Sequence, residues 1–157
     1  MNLGSTNITY DEGVWAAAGA LIGGMLVAIL AIVLVLYILY IIGAWKTFVK
    51  AGEPGWKAII PIYNIYTIYK FSWKASMFWV NLAIAIIGGI ATSIGGYVAI
   101  IGSIASIITF VINIMSNYKL SSSFGHGVGF TIGLTFLPNI FILILGFGSS
   151  EYVGPQE

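Results

Sequence analysis

Few side chains in this sequence could do chemistry, and their types set what is open to them. Ser121, Ser122 and Ser123 follow Lys119, which are the residue types of a serine–lysine nucleophile pair. No flanking motif accompanies them, and runs of serine are ordinary loop composition. Phe124-Gly125-His126-Gly127-Val128-Gly129 has the glycine content of a phosphate-cradling loop. It lacks the Gly-Lys-Ser/Thr ending and a preceding strand, so it reads as a flexible turn. His126 is the single histidine and cannot by itself hold a metal, while the absence of cysteine removes disulfides and thiol nucleophiles together. All six cations are lysine, which leaves no guanidinium fork for phosphate or carboxylate. With no paired carboxylates and no histidine cluster, the chain is expected to be no enzyme and to carry no cofactor or metal.

What remains is polar but uncharged. Ser106, Thr109 and Asn113, continued by Ser116 or Asn117, recur at spacings of three and four and make one stripe. Thr131, Thr135 and Asn139 make a second, and Asn81 stands apart. Such stripes could line a hydrogen-bonding path for water or a small neutral solute. The plainer reading is contact between helices, each such bond adding about 0.6 to 2 kcal/mol in hydrocarbon. The apolar segments hold no Asp, Glu, Lys or His, which speaks against a proton-coupled pump or a carrier of charged substrates.

The elements that must position these groups follow from composition. Of 157 residues, 59% are hydrophobic and 7% charged, against roughly 25% charged in a soluble domain. An integral membrane protein is the class that fits. A net charge of +1 offers no field for nucleic acid. The run from Val14 to Gly43 makes about 45 Å of helix, longer than the hydrocarbon core, so tilt or a protruding turn is expected. It follows Asp11 and Glu12 and precedes Lys46 and Lys50, the reverse of a signal peptide's charge order. The uncharged stretch from Met77 to Tyr118 suits two spans joined at Thr92-Ser93-Ile94-Gly95-Gly96. Phe130 to Gly148 reads as a further span, kinked at Pro138.

These segments predict an all-α integral membrane fold with four transmembrane helices over 14–43, 77–94, 97–118 and 130–148. The polar stretch 119–129 becomes a cytoplasmic loop. The count places all six lysines on the cytoplasmic side, with both termini outside along with Asp11, Glu12, Glu151 and Glu157. Asn7-Ile8-Thr9 is then a formal glycosylation sequon on the outer side. The whole chain reads as one membrane domain.

Between the first two spans, residues 56–74 predict an interfacial helix with Pro61 in its first turn. On a helical wheel Asn64, Thr67, Lys70 and Lys74 share one face, Tyr63, Tyr66, Tyr69 and Trp73 the next, and Ile62, Ile65 and Ile68 the third. Trp56, the four ring residues and the two lysines are the candidate anchors at the headgroup boundary. The competing reading is a re-entrant or partly buried connector beneath the bundle. Small residues recur every four positions at Ala16, Ala20, Gly24 and Ala28, at Ala85 and Gly89, and at Gly95, Ala99 and Ser103. Such ridges let helices approach closely, within the chain or between chains.

Several blocks carry a resemblance: Lys50-Ala51-Gly52, Gly55-Trp56-Lys57-Ala58-Ile59-Ile60-Pro61-Ile62-Tyr63-Asn64, Ser123-Phe124-Gly125, and Leu145-Gly146-Phe147-Gly148 with Tyr152. Together they resemble a family of small uncharacterised prokaryotic membrane proteins, a domain of unknown function also found ahead of the catalytic domain in some bacterial signal peptidase I proteins. The resemblance implies a multi-pass protein of the prokaryotic cytoplasmic membrane and brings no catalytic residue. Where a second Pro-x-x-Asn element would be expected, this chain carries the glycine-rich stretch around Gly88, Gly89, Gly95 and Gly96. The expected partners are the lipid bilayer and other membrane subunits or further copies of the chain. The expected role is that of an accessory or scaffolding subunit, the alternative being an oligomeric channel or carrier for a small neutral solute.

Overall fold

The computed structural model describes residues 12–156, which places Asn7, Asp11 and Glu157 outside the described residues. The chain divides into two units, Met1–Tyr37 and Ile38–Glu157. In the first, the described residues form part of helix α1 (Glu12–Lys50). Val14, Leu21, Met25, Val27, Leu30 and Val33 are all more than half exposed, and apolar side chains point in every direction. A helix with no polar face belongs in lipid, since no single side could be turned to a core and the rest to water.

The second unit is built from the end of α1, a 3₁₀ turn at Gly55–Ala58, α2 (Pro61–Ser72), α3 (Ala75–Ile94), a 3₁₀ turn at Gly96–Val98, α4 (Ala99–Ser122), α5 (Val128–Phe136) and α6 (Pro138–Phe147). Proline opens α2, where its missing N–H would have had no helical partner. The α3–α4 hairpin turns at Gly95 and Gly96, whose φ of 77° and 58° suit glycine. The two helices pack closely: a Cβ at Gly88 would lie 2.7 Å from that of Ala105, and one at Gly102 would run into the Thr92 hydroxyl. Three segments, Gly13–Lys50, Ala75–Ile94 and Gly96–Ser122, are long and apolar enough to cross a membrane.

The expected span over 130–148 is corrected. Pro138 removes an N–H from the helical ladder, and Leu137 leaves helical geometry at φ −133° and ψ 55°, so the segment forms two helices and not one kinked one. The Phe141 ring lies on Gly133 and meets Phe130 edge-on at 4.9 Å, so α6 returns along α5. Helices of nine and ten residues reach about 15 Å, half the depth of a hydrocarbon core.

Residues 150–156 therefore lie back beside the start of α5. His126 Nε2 and Ser150 Oγ share a hydrogen bond of 2.8 Å, Val153 N–H donates to Ser123 O at 2.8 Å, and Gln156 N–H to Ser72 O at 3.0 Å. Glu151 thus lies at the end of the bundle that carries Lys50, and not at the opposite end as its charge suggested. The hairpin seats on the last turns of α1, where a Cβ at Gly146 would run into the Gly43 carbonyl. Phe48, Phe71, Leu120, Phe124, Leu134, Ile142 and Leu145 form the main core around it. Tyr69, Phe78 and Ile112 form a second core between α2, α3 and α4.

The natural chain has no cysteine, so single substitutions report topology cleanly. Tyr97→Cys, at a 92% exposed position on the α3–α4 turn, and Ser149→Cys should react with an impermeant thiol reagent from opposite faces of sealed vesicles. Labelling of both from the same face would contradict the half-depth hairpin.

Candidate functional site

Three of the four sequence blocks that carried the resemblance meet at one place. Lys50 Nζ donates to the carbonyls of Leu145 at 2.8 Å, Gly148 at 2.7 Å and Ser150 at 3.2 Å. Leu145 O and Gly148 O are groups that the end of α6 leaves without helical partners, Ser150 O lies two residues beyond its cap, and a cation there also opposes the negative end of the helix dipole. Ser123 Oγ donates to Lys119 O at 2.8 Å and lies 3.2 Å from Ser72 O, while Tyr152 Oη donates to Phe71 O at 2.5 Å. The rings of Phe71, Phe124 and Tyr152 pack mutually with centroids 5.5 to 6.3 Å apart. Lys46 adds its ammonium over the Phe147 ring at 3.9 Å.

The remaining block shapes the entry to α2. Gly55 lies against the Trp45 indole so closely that a Cβ would enter the ring. Asn64 Nδ2 donates to Ala58 O at 2.9 Å and Oδ1 accepts from Tyr40 Oη at 3.4 Å. Glu53 receives Lys57 and Lys70, each at 2.6 Å. Burial would raise the Glu53 carboxyl, but hydrogen bonds from both ammonium groups outweigh it and hold the carboxyl below its ordinary 4.5. The same hydrogen bond raises Lys70 above 10.5.

The candidate anchors of α2 are distributed unequally. Trp56 and Tyr63 are exposed, with rings 5.8 Å apart. Tyr66 is half-buried between Phe78 at 5.5 Å and Trp79 at 6.3 Å. Tyr69 is buried and accepts from Asn81 Nδ2 at 3.1 Å, with Trp73 stacked on it. Lys70 and Lys74 are exposed. The polar arc is split: Asn64 and Thr67 are buried against the bundle, while Ile62 and Ile65 face outward.

Of the two polar stripes, Ser106, Thr109 and Asn113 line a groove of about 560 Å³ between α3 and α4, together with Thr92 and Ser93. Ser106 Oγ donates to Gly102 O at 2.9 Å and Asn113 Nδ2 to Thr109 O at 2.8 Å. Thr109 Oγ1 is shielded and has no hydrogen-bond partner among the described residues. In the second stripe Thr131 and Thr135 donate to carbonyls one turn back, Gly127 O at 3.3 Å and Thr131 O at 2.9 Å, and Asn139 is half-buried. One contact joins the stripes, Asn117 Nδ2 to Thr135 Oγ1 at 3.2 Å. Thr92 and Ser93, which their position suggested as turn residues, occupy the last turn of α3 and extend the groove. The role of Lys50 had no local signal, since its partners lie 95 to 100 residues away.

Two of the three hydroxyls near Lys119 are committed elsewhere: Ser121 Oγ donates to Gly127 O at 2.9 Å and Ser123 Oγ to Lys119 O. His126 and Ser150 have the types of a base and nucleophile, but the His126 ring is stacked on Phe130 at 4.3 Å, and no carboxylate orients it among the described residues. Among the described residues no group of three or more His, Asp or Glu side chains could hold a metal.

Because the Glu53 carboxyl is depressed, its contribution to stability is complete above about pH 4.5 and is lost as pH falls through the lower folded value. Because Lys70 is raised, its side of the pair holds below about pH 10.5 and is lost as pH rises past that. Glu53→Gln should therefore lower the thermal unfolding temperature across the neutral range and flatten its decline in acid. Parallel unfolding curves of variant and parent from pH 3 to 7 would contradict this.

No curated protein and no solved structure matches the chain. A family of unknown function, DUF5684, matches residues 56–155, which covers α2 to α6 and all the joints described above except those made by α1 and Glu53. The chain belongs to that family.

Proposed function

We propose that this is a multi-pass protein of a prokaryotic cytoplasmic membrane that works by associating with other membrane helices, as an accessory or scaffolding subunit. The observation that carries the reading is the α3–α4 groove, which leaves the Asn113 carboxamide exposed within an apolar surface. Lipid offers such groups no hydrogen bond, whereas a neighbouring helix can.

In the topology that goes with this reading α1, α3 and α4 cross the bilayer, and the α5–α6 hairpin enters and leaves by the lysine face. The supporting argument is charge. Asp11 precedes α1, Glu12 opens it and Lys46 and Lys50 close it, so the positive-inside rule makes the lysine face cytoplasmic. On this arrangement the C-terminal residues share the cytoplasmic side. α2 lies at that face, with Trp56, Tyr63, Lys70 and Lys74 directed outward to the headgroup boundary.

Purified from its native membrane in mild detergent, the protein should migrate in an assembly larger than one chain. Recovery of a lone monomer under every mild condition would defeat the reading. A second reading, an oligomeric channel or carrier for a small neutral solute, draws on the Asn117–Thr135 bond that links the polar stripes. It requires solute flux in liposomes to fall when Thr109 and Asn113 are replaced by leucine, and unchanged flux would remove it.

A further inference from the structure

Asn113 lies roughly 21 Å along α4 from its first residue and roughly 14 Å from its last, well inside the stretch that would be in hydrocarbon. One of its N–H groups is used on Thr109 O. Among the described residues the second N–H and Oδ1 make no hydrogen bond, and the side chain is exposed. Leaving polar groups bare in lipid is unfavourable, so whatever covers this face must supply both an acceptor and a donor.

A carboxamide is its own complement, because it carries both. Two copies of one chain lie in a membrane with the same orientation, so a two-fold axis relating them runs along the membrane normal. Equal depths then meet, and Asn113 faces Asn113. The surrounding patch is complementary to itself in shape. Phe110 projects at the groove rim, 60% exposed, beside a floor of Ala85, Gly88, Gly89 and Ala105. Gly88 abuts Ala105, so the antiparallel register of α3 and α4 brings Phe110 near the level of Ile84 and Ala85. A ring from one copy thus meets small residues at the same depth in the other, while a Cβ on Gly89 would touch nothing within its own chain. Knob and hole on a single patch are what an isologous interface requires.

We infer that the α3–α4 groove is the docking face for a second copy of this chain, with the two Asn113 carboxamides paired across the two-fold axis and Phe110 of each copy seated on the other's Ala85. This rests on the association reading above and specifies its partner. The site lies within one unit of the chain and makes no use of α1.

Single-cysteine variants in otherwise unaltered protein, oxidised in native membranes, provide the test. Ser106→Cys, in the groove, should form a disulfide-linked dimer, and Ile104→Cys, on the opposite side of α4, should not. Adding Asn113→Leu to Ser106→Cys should weaken dimerisation about three- to thirty-fold in a dilution series in mild detergent. Asn113→Gln, which keeps the carboxamide, should recover part of it, and an unchanged unfolding temperature would show that neither variant merely misfolds. Equal cross-linking from both positions, or none from Ser106→Cys, would overturn the inference. An assembly containing one copy of this chain with other proteins would overturn it while leaving the association reading standing. A lone monomer would remove both.

Discussion

The Lys50 ammonium donates to the carbonyls of Leu145, Gly148 and Ser150, and the half-depth hairpin depends on that contact. A helix that stops inside or at the edge of a bilayer exposes its last carbonyls where water is scarce. One ammonium satisfies two of these carbonyls, Leu145 O and Gly148 O, together with Ser150 O just beyond the helix cap. With α6 held, Gly146 can press against the Gly43 carbonyl, Leu145 and Ile142 fill the core between α1 and α4, and the following residues can return to Ser123 and Ser72. Without the clip the hairpin would keep its apolar packing but lose the partner of its most polar end.

That dependence explains what could be read from the sequence and what could not. The α3–α4 turn was legible because Gly95-Gly96 is a local signal with a local cause, the positive φ of both residues. The start of α2 was legible for the same kind of reason, since Pro61 needs no N–H in a first turn. The segment over 130–148 was not legible as a hairpin. Its hydropathy suits one span as well as two half-spans, and a proline kinks one and breaks the other. The decision is made by contacts distant in sequence: Lys50 with α6, Phe141 with Gly133, His126 with Ser150. The arc on α2 shows the same limit. Asn64, Thr67 and Lys70 share a wheel position in sequence, but the bundle takes in the two small side chains and leaves the lysine outside.

The blocks that carried the family resemblance are accounted for by the same joint. Gly55 admits the Trp45 ring, Asn64 ties back to Ala58, Ser123 links α4 to the end of α2, and Tyr152 closes over Phe71 and Phe124. Each residue type is demanded by a contact at the lysine end. The hydrogen bonds of Ser123 and Tyr152 end on backbone carbonyls, and those of Asn64 on Ala58 O and the Tyr40 hydroxyl. A pattern of this kind specifies an architecture, and function has to be sought where the architecture leaves something unsatisfied.

The groove between α3 and α4 is such a place. Elsewhere in the apolar segments hydroxyls return to carbonyls one turn back, as Thr92, Ser93, Ser103 and Ser106 do, which costs the helix little and shows lipid a nearly apolar surface. Asn113 cannot be silenced that way, since a carboxamide has more donors and acceptors than one carbonyl can meet. Next to it stands a buried threonine oxygen without a hydrogen-bond partner among the described residues. Had the chain only needed to fold, leucine at 113 would fill the space at no polar cost. The hairpin is short enough to stop level with Asn117, through Thr135, and so leaves this stretch of α4 open. The short hairpin and the exposed carboxamide are thus two parts of one arrangement, and on the proposed association reading a longer α5 would cover the face that an associating helix needs.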